Sequence, residues 1–253
     1  MLFLVVYTLC VVTVAAGAVS SVLHKTLHSI PSERIYQRTF LAFGVLMSYD
    51  LVIAQLGLLN EFDHVPIPIA KFILAPMLAL TVYVACCTQI GHALATRLSA
   101  RELIGFQIFR LGPEVFLHAG YLEGALPAQM TFPPHGRNVD LFIALTALAL
   151  VLAWPHLASC GLRPIAVAWA FGIVGVGALI NILVTAMISL THPLRDRFMP
   201  HFEPGLEYIV QVPFVLLPGV LFPLAFFTHL LLFRQLLTSP SSAAADGDAP
   251  SMW

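Results

Sequence analysis

Between Pro164 and Leu190 not one residue carries a charge. A helix needs about 20 mostly apolar residues to cross the hydrocarbon core of a bilayer, and this run exceeds that. Leu2–Leu23, Phe40–Leu59, Ile67–Ile90, Val139–Trp154 and Tyr208–Phe233 have the same character, the Val139 run being the shortest. Hydrocarbon offers no partner to a free N–H or C=O, so each run must close its own hydrogen bonds as a helix. The period-2 alternation of a membrane β-barrel is missing. The expected fold class is therefore all-α, a polytopic transmembrane helix bundle.

Composition points the same way. Charged residues make up 10% of the chain, against about 25% in a soluble domain, and the mean hydropathy is +0.89. The net charge of −1 comes with no basic field, which excludes nucleic acid as a partner and leaves the lipid bilayer as the expected one. Cys10, Cys86, Cys87 and Cys160 fit no zinc spacing and read as small packing residues. Residues 1–238 are expected to form one helical membrane domain. The Ser-, Ala- and Asp-rich segment 239–253 has little to bury and reads as a disordered tail.

A further run, Leu103–Leu122, carries Gln107, Arg110, Glu114 and His118. At 100° per residue these four fall within about 80° of one another, a polar stripe on an otherwise apolar helix. Such a helix either turns its stripe into a bundle or lies on the membrane surface. Counted as crossing, it makes seven spans, with the N-terminus outside and the C-terminus cytoplasmic. Lys25, Arg34, Arg38, Arg97, Arg101, Arg163 and Arg234 then lie inside, and Arg137, Arg195 and Arg197 outside. Six spans would put more basic residues inside, leaving only Arg163 and Arg234 outside. Seven is the preferred reading, because the striped run has the right length and no basic residue flanks Arg110. The first run lacks a basic n-region and reads as an uncleaved span, not a signal peptide.

A charge at the bilayer centre costs roughly 2.5–3.5 kcal/mol on insertion scales. Asp50, Arg110 and Glu114 lie well inside runs, and Lys71 sits about a turn in from a helix start. Arg110 and Glu114, four apart, are expected to pair directly, with Gln107 and His118 extending the line. Asp50 and Lys71 are expected to pair across the short connection Asn60–Pro66. Pro113 lies between Arg110 and Glu114 and should bend the helix. Pro213, Pro218 and Pro223 should kink the last run into a hinge or cavity wall. Asn181 follows Gly172, Gly175 and Gly177, small residues that let another helix approach, and reads more as an interhelical donor than as a ligand. The connection Glu123–Asp140 is dense in turn-formers and reads as a plug or lid. Within it Glu123, Arg137 and Asp140 are placed to fold over the outer mouth of the striped helix, and Asn138 or Asp140 to cap the next helix. Ten His include an inner set of His24, His28, His92 and His229, but no H-E-x-x-H helix is present. No metal or cofactor is expected.

Gln107, Arg110 and Glu114, followed by Gly124, Pro127, Met130, Thr131, Gly136, Arg137, Asn138 and Asp140, resemble a pattern in a group of small bacterial multi-pass membrane proteins of unassigned function. The stretch from Asn181 through Pro193 and the proline-rich last run to Leu236 is similar too, so the resemblance covers roughly the C-terminal 60% of the chain. Val139 stands where that pattern is more often aromatic, and His118 lies outside it. The resemblance implies a bacterial cytoplasmic membrane and no particular activity.

Three functions follow in order of preference. The first is a small transporter, channel or proton-coupled carrier, with Glu114 taking and releasing a proton and Arg110 holding an anionic group or Glu114. The second is a structural or accessory subunit of a membrane complex or homo-oligomer, assembled through Gly172 and Gly175. The third is an intramembrane enzyme on a lipid or quinone, with Glu114 and His118 as acid and base.

Overall fold

The computed structural model describes residues 70–190, 196–201 and 214–238, together with separated helical positions between 13 and 52. Among the described residues every regular element is a helix. Helix α1 spans Ala70–Cys87 and α2 Gln89–Arg97. Helix α3 (Ala100–Phe106) runs through a 3₁₀ turn, Gln107–Arg110, into α4 (Leu111–Leu122). Helix α5 is Asp140–Ala153 and α6 is Pro164–Leu190. A π turn, Leu217–Leu221, leads into α7, Phe222–Thr238.

Two of these helical stretches are long and apolar enough to cross a membrane, Pro164–Ser189 and Leu217–Thr238. A third candidate is the bent pair of α1 and α2 taken as one span. Seven spans find no support in the described helices, for local reasons. The Ile67–Ile90 run breaks at Thr88 with a bend of 66°, because Thr88 accepts the N–H of Gly91 as an N-cap and so starts a new helix. A Cβ on Gly91 would lie 2.3 Å from the Val84 carbonyl oxygen, so only glycine allows the two helices to meet this closely. The Val139 run yields a helix of 14 residues, about 21 Å long at 1.5 Å per residue, short of a core about 30 Å thick. The striped run is interrupted by the 3₁₀ turn. The run Leu2–Leu23 lies largely outside the described residues, Phe40–Leu59 lies half outside them, and the connection Asn60–Pro66 and the tail 239–253 lie wholly outside.

Helix α7 is the hub, packing against α1, α2, α3 and α6, while α5 covers α3, the 3₁₀ turn and α4. Small residues on α6 admit α7: a Cβ on Gly172 would meet the Phe233 ring at 2.8 Å, and one on Gly175 the His229 ring at 2.2 Å. These glycines therefore serve packing within the chain. Many large apolar side chains face outward, among them Tyr83, Val115, Phe142, Leu145, Ile173, Val174, Ile180 and Val184, while Gln107, Arg110, Glu114, Asn138 and His229 are buried. Extensive apolar exposure, with a layer of charged and polar side chains buried within an otherwise apolar core, suits a helical protein solvated by lipid.

Candidate functional site

The polar stripe turns inward. Gln107, Arg110 and Glu114 are each 1% exposed, in a protein whose exterior is largely apolar. Isolated charges at such depth would be expensive, so their partners decide what the site can do.

Arg110 does not pair with Glu114. Its Nη2 donates to Asp140 Oδ1 in a partly buried ion pair at the start of α5, and its Nη1 donates to Gln107 Oε1 at 3.4 Å. Glu114 instead accepts, through Oε1, a hydrogen bond from Asn138 Nδ2. The same Asn138 accepts the backbone N–H of Asp140 through Oδ1 at 3.1 Å. Asn138 thus serves the first residue of α5, while Val139 at the cap position makes no side-chain bond. The expected pair along one helix is replaced by pairs between two elements because the 3₁₀ turn ends at Arg110 and aims its guanidinium at α5. Gln107 anchors the other end of the layer, its Nε2 donating to the Ala225 carbonyl at 3.0 Å and to Thr228 Oγ1.

The segment 123–139 holds this arrangement in place. Helix α4 ends on Gly124, whose φ of +70° is costly for other residues, and Ala125 N–H returns to the Gly120 carbonyl at 2.8 Å. A short 3₁₀ turn at Ala128–Met130 follows. Arg137 N–H then bonds the Gln129 carbonyl, and Asn138 N–H the Thr131 carbonyl at 2.9 Å. A Cβ on Gly136 would lie 2.1 Å from the Thr131 carbonyl oxygen, so the loop can close only over glycine. Met130 and Thr131 are buried. Asn181 on α6 donates to the Arg137 carbonyl at 2.7 Å, and Gln129 to Ser189 Oγ at 3.2 Å. The connection is thus an ordered loop tied to α6, with Asn138 and Asp140 aimed at the striped helix. Arg137 points away from the site, its Nη1 3.6 Å from Met199 Sδ, and Glu123 is exposed at the end of α4.

A cavity of about 100 Å³ opens beside the layer. A site holds one water per roughly 10–15 Å³ on this measure, so this one has room for several waters or a small organic molecule. Arg110, Glu114, Asn138 and Asp140 form its polar end, and Leu117, Leu179, Ile182, Leu183, Leu221 and Phe222 are among its apolar walls. Pro113 and Pro218 line it as well. Two atoms of the polar residues are buried without a hydrogen-bond partner, Glu114 Oε2 and Arg110 Nε. The charge of Arg110 is matched by Asp140, whereas Glu114 has only an amide.

His118 does not join the layer: its ring lies against Phe132 at 4.8 Å, part of an aromatic cluster with Tyr121 and His135. The side chain of Lys71, and Asp50 and Pro213, lie outside the described residues. Pro218 falls within the π turn and Pro223 directly after it, where a missing N–H widens the helix. Sequence reasoning did not reach Thr228, nor the burial of His229, whose two ring nitrogens lack hydrogen-bond partners. The available signal was a polar pair, Thr228 and His229, in an otherwise apolar run.

Residues 67–237 match the model of a family described as a domain of unknown function, DUF8737. No curated protein and no solved structure matches the chain.

Proposed function

The chain belongs to the DUF8737 family, and we propose that it is a membrane carrier that binds a proton at Glu114 together with a small, largely apolar solute in the adjoining cavity. One observation carries this reading: Glu114 Oε2 is buried without a partner at the wall of a cavity, while the neighbouring arginine is already neutralised by Asp140. A buried acid without a countercharge must take a proton or a cation from solution. With the proton bound, Arg110, Asp140 and Glu114 sum to zero charge; without it the site carries one negative charge. Solute and proton therefore bind with mutual influence, which is what coupling requires. The apolar walls favour a solute that is mostly hydrocarbon, with its polar group turned to Glu114 and Arg110.

The proposal extends to a bacterial cytoplasmic membrane, on the strength of the motif at Gln107–Asp140. The assembly reading draws less support, because Gly172 and Gly175 are occupied by Phe233 and His229 of α7. For the carrier itself, the test is proton uptake into proteoliposomes loaded with a pH-sensitive dye. Wild-type protein should move protons down an imposed gradient, and Glu114→Gln should abolish this with helical content and melting temperature retained. Equal uptake by wild type, Glu114→Gln and empty liposomes would overturn the reading.

A further inference from the structure

The bonds already made at the polar end of the Glu114 cavity fix what is left for a ligand. Asn138 is spent: its Nδ2 goes to Glu114 Oε1, and its Oδ1 takes the Asp140 N–H. Arg110 gives Nη2 to Asp140 and Nη1 to Gln107. Two buried groups on lining residues remain without a partner, the Arg110 Nε–H and Glu114 Oε2. Because Oε1 already accepts from Asn138, a proton on Glu114 resides on Oε2 and turns it into a donor. The protonated site therefore offers two N–H or O–H donors and no free acceptor on these two residues. The deprotonated site offers one donor and one charged acceptor.

We propose that the protonated site binds a neutral carbonyl group on a small hydrocarbon body, as in a ketone or aldehyde, whose oxygen accepts from both Glu114 Oε2 and Arg110 Nε. This rests on the protonation of Glu114 in the carrier reading and names the solute that travels with the proton. A carbonyl oxygen has two lone pairs, one for each donor. Other chemistries leave something unmatched. A carboxylate brings a negative charge to an arginine that Asp140 has already neutralised. An ammonium can replace the proton at Glu114, but it has no lone pair for Arg110 Nε and sets a second cation beside it. Sugars and amino acids carry several polar groups, and the rest of the lining, including Leu117, Leu179, Ile182, Leu183 and Phe222, has no side chain to bond them. Loss of the proton would turn the carboxyl oxygen into a charged acceptor facing the carbonyl oxygen, so solute and proton leave together. No further ionisable side chain intervenes. Helix α5 brings Asp140 and the 3₁₀ turn brings Arg110, which hold each other. The turn Ala128–Met130 brings none, nor do the cavity walls from α1, α6, the π turn and α7.

The test is equilibrium dialysis of radiolabelled cyclohexanone, and separately of cyclohexylammonium, against the protein in nanodiscs, with uptake by empty nanodiscs subtracted. Wild-type protein should bind the ketone in acid and bind it about tenfold more weakly once the pH has risen far enough to remove the Glu114 donor. Glu114→Gln keeps a donor where the proton was, since Asn138 holds the amide oxygen in the Oε1 position, and should bind the ketone equally at every pH. Ala186→Phe, which adds a ring to the α6 wall, should abolish binding and so checks the location even if Glu114→Gln does not fold. Ketone binding by wild type that ignores pH, a folded Glu114→Gln that binds no ketone, or undiminished binding by Ala186→Phe would overturn the proposal. So would ammonium binding that strengthens as pH rises while the ketone is ignored. Dialysis needs no flux. Ketone binding of the expected pH dependence without proton uptake would refute the carrier reading and keep this assignment, and proton uptake without ketone binding would do the reverse.

Discussion

Among the described residues two arginines leave bulk solvent, and they are satisfied in different ways. Arg110 is fully buried and spreads its guanidinium over two partners, Asp140 and the Gln107 amide. Arg234, on α7, is half-buried and gives Nη1 to the Ala85 carbonyl at 2.6 Å and the Thr88 carbonyl at 3.5 Å. Those carbonyls belong to the end of α1, where the helix has no further N–H to offer and the backbone is partially negative. Arg234 is therefore a cap on a break, with its charge answered by dipoles. Arg110 consumes a full countercharge, and by taking Asp140 it leaves Glu114 unmatched. The same residue type caps a break in one place and, in the other, leaves a buried acid without a countercharge.

That contrast can be broken or sharpened by substitution, with thermal unfolding in detergent as the readout. Arg110→Met should have the largest effect, about 3–5 kcal/mol of destabilisation, because Asp140 would stay buried without a cation. Should Arg110→Met unfold at the wild-type temperature, Asp140 would have to be solvated and the comparison would fail. Arg234→Met should cost about 1.5–3 kcal/mol, the range for hydrogen bonds to a charged group. Arginine-to-lysine changes sharpen the point. Lysine at 234 can reach the same carbonyls from one nitrogen and should nearly restore stability. Lysine at 110 cannot span Asp140 and Gln107 together and should not. Gly175→Ala should cost about 1–3 kcal/mol through overpacking on His229; neutral behaviour would mean that α6 and α7 do not meet as closely as described. The smallest change is expected of Asn181→Ala, about 1 kcal/mol for one lost hydrogen bond to the loop, with faster amide exchange in 127–138.

Much of the site could be read from residue order, and the limits are specific. Helical periodicity placed Gln107, Arg110 and Glu114 on one face, and all three are buried together. The turn-rich connection reads as a plug or lid; it is an ordered loop, closed by Gly136 and tied to α6 by Asn181. Pairing was misjudged where it mattered. An i,i+4 rule assumes an unbroken α-helix, and the 3₁₀ turn at Gln107–Arg110 invalidates it. The count of seven spans finds no support among the described helices for a similar reason. Ile67–Ile90 is continuous in hydropathy, but Thr88 and Gly91 interrupt it by capping and close approach, which a hydropathy window does not sense.

Residue order by itself determined the solvent and the element type, since long uncharged runs can satisfy their backbones in hydrocarbon only as helices. It also determined which few polar residues would have to find partners. Only the tertiary structure decided who those partners are: Asp140 for Arg110, Asn138 for Glu114, Thr228 for Gln107. The reason is that local periodicity is a property of one helix, whereas these bonds join residues 24 to 121 positions apart. Their geometry exists only once the helices have packed.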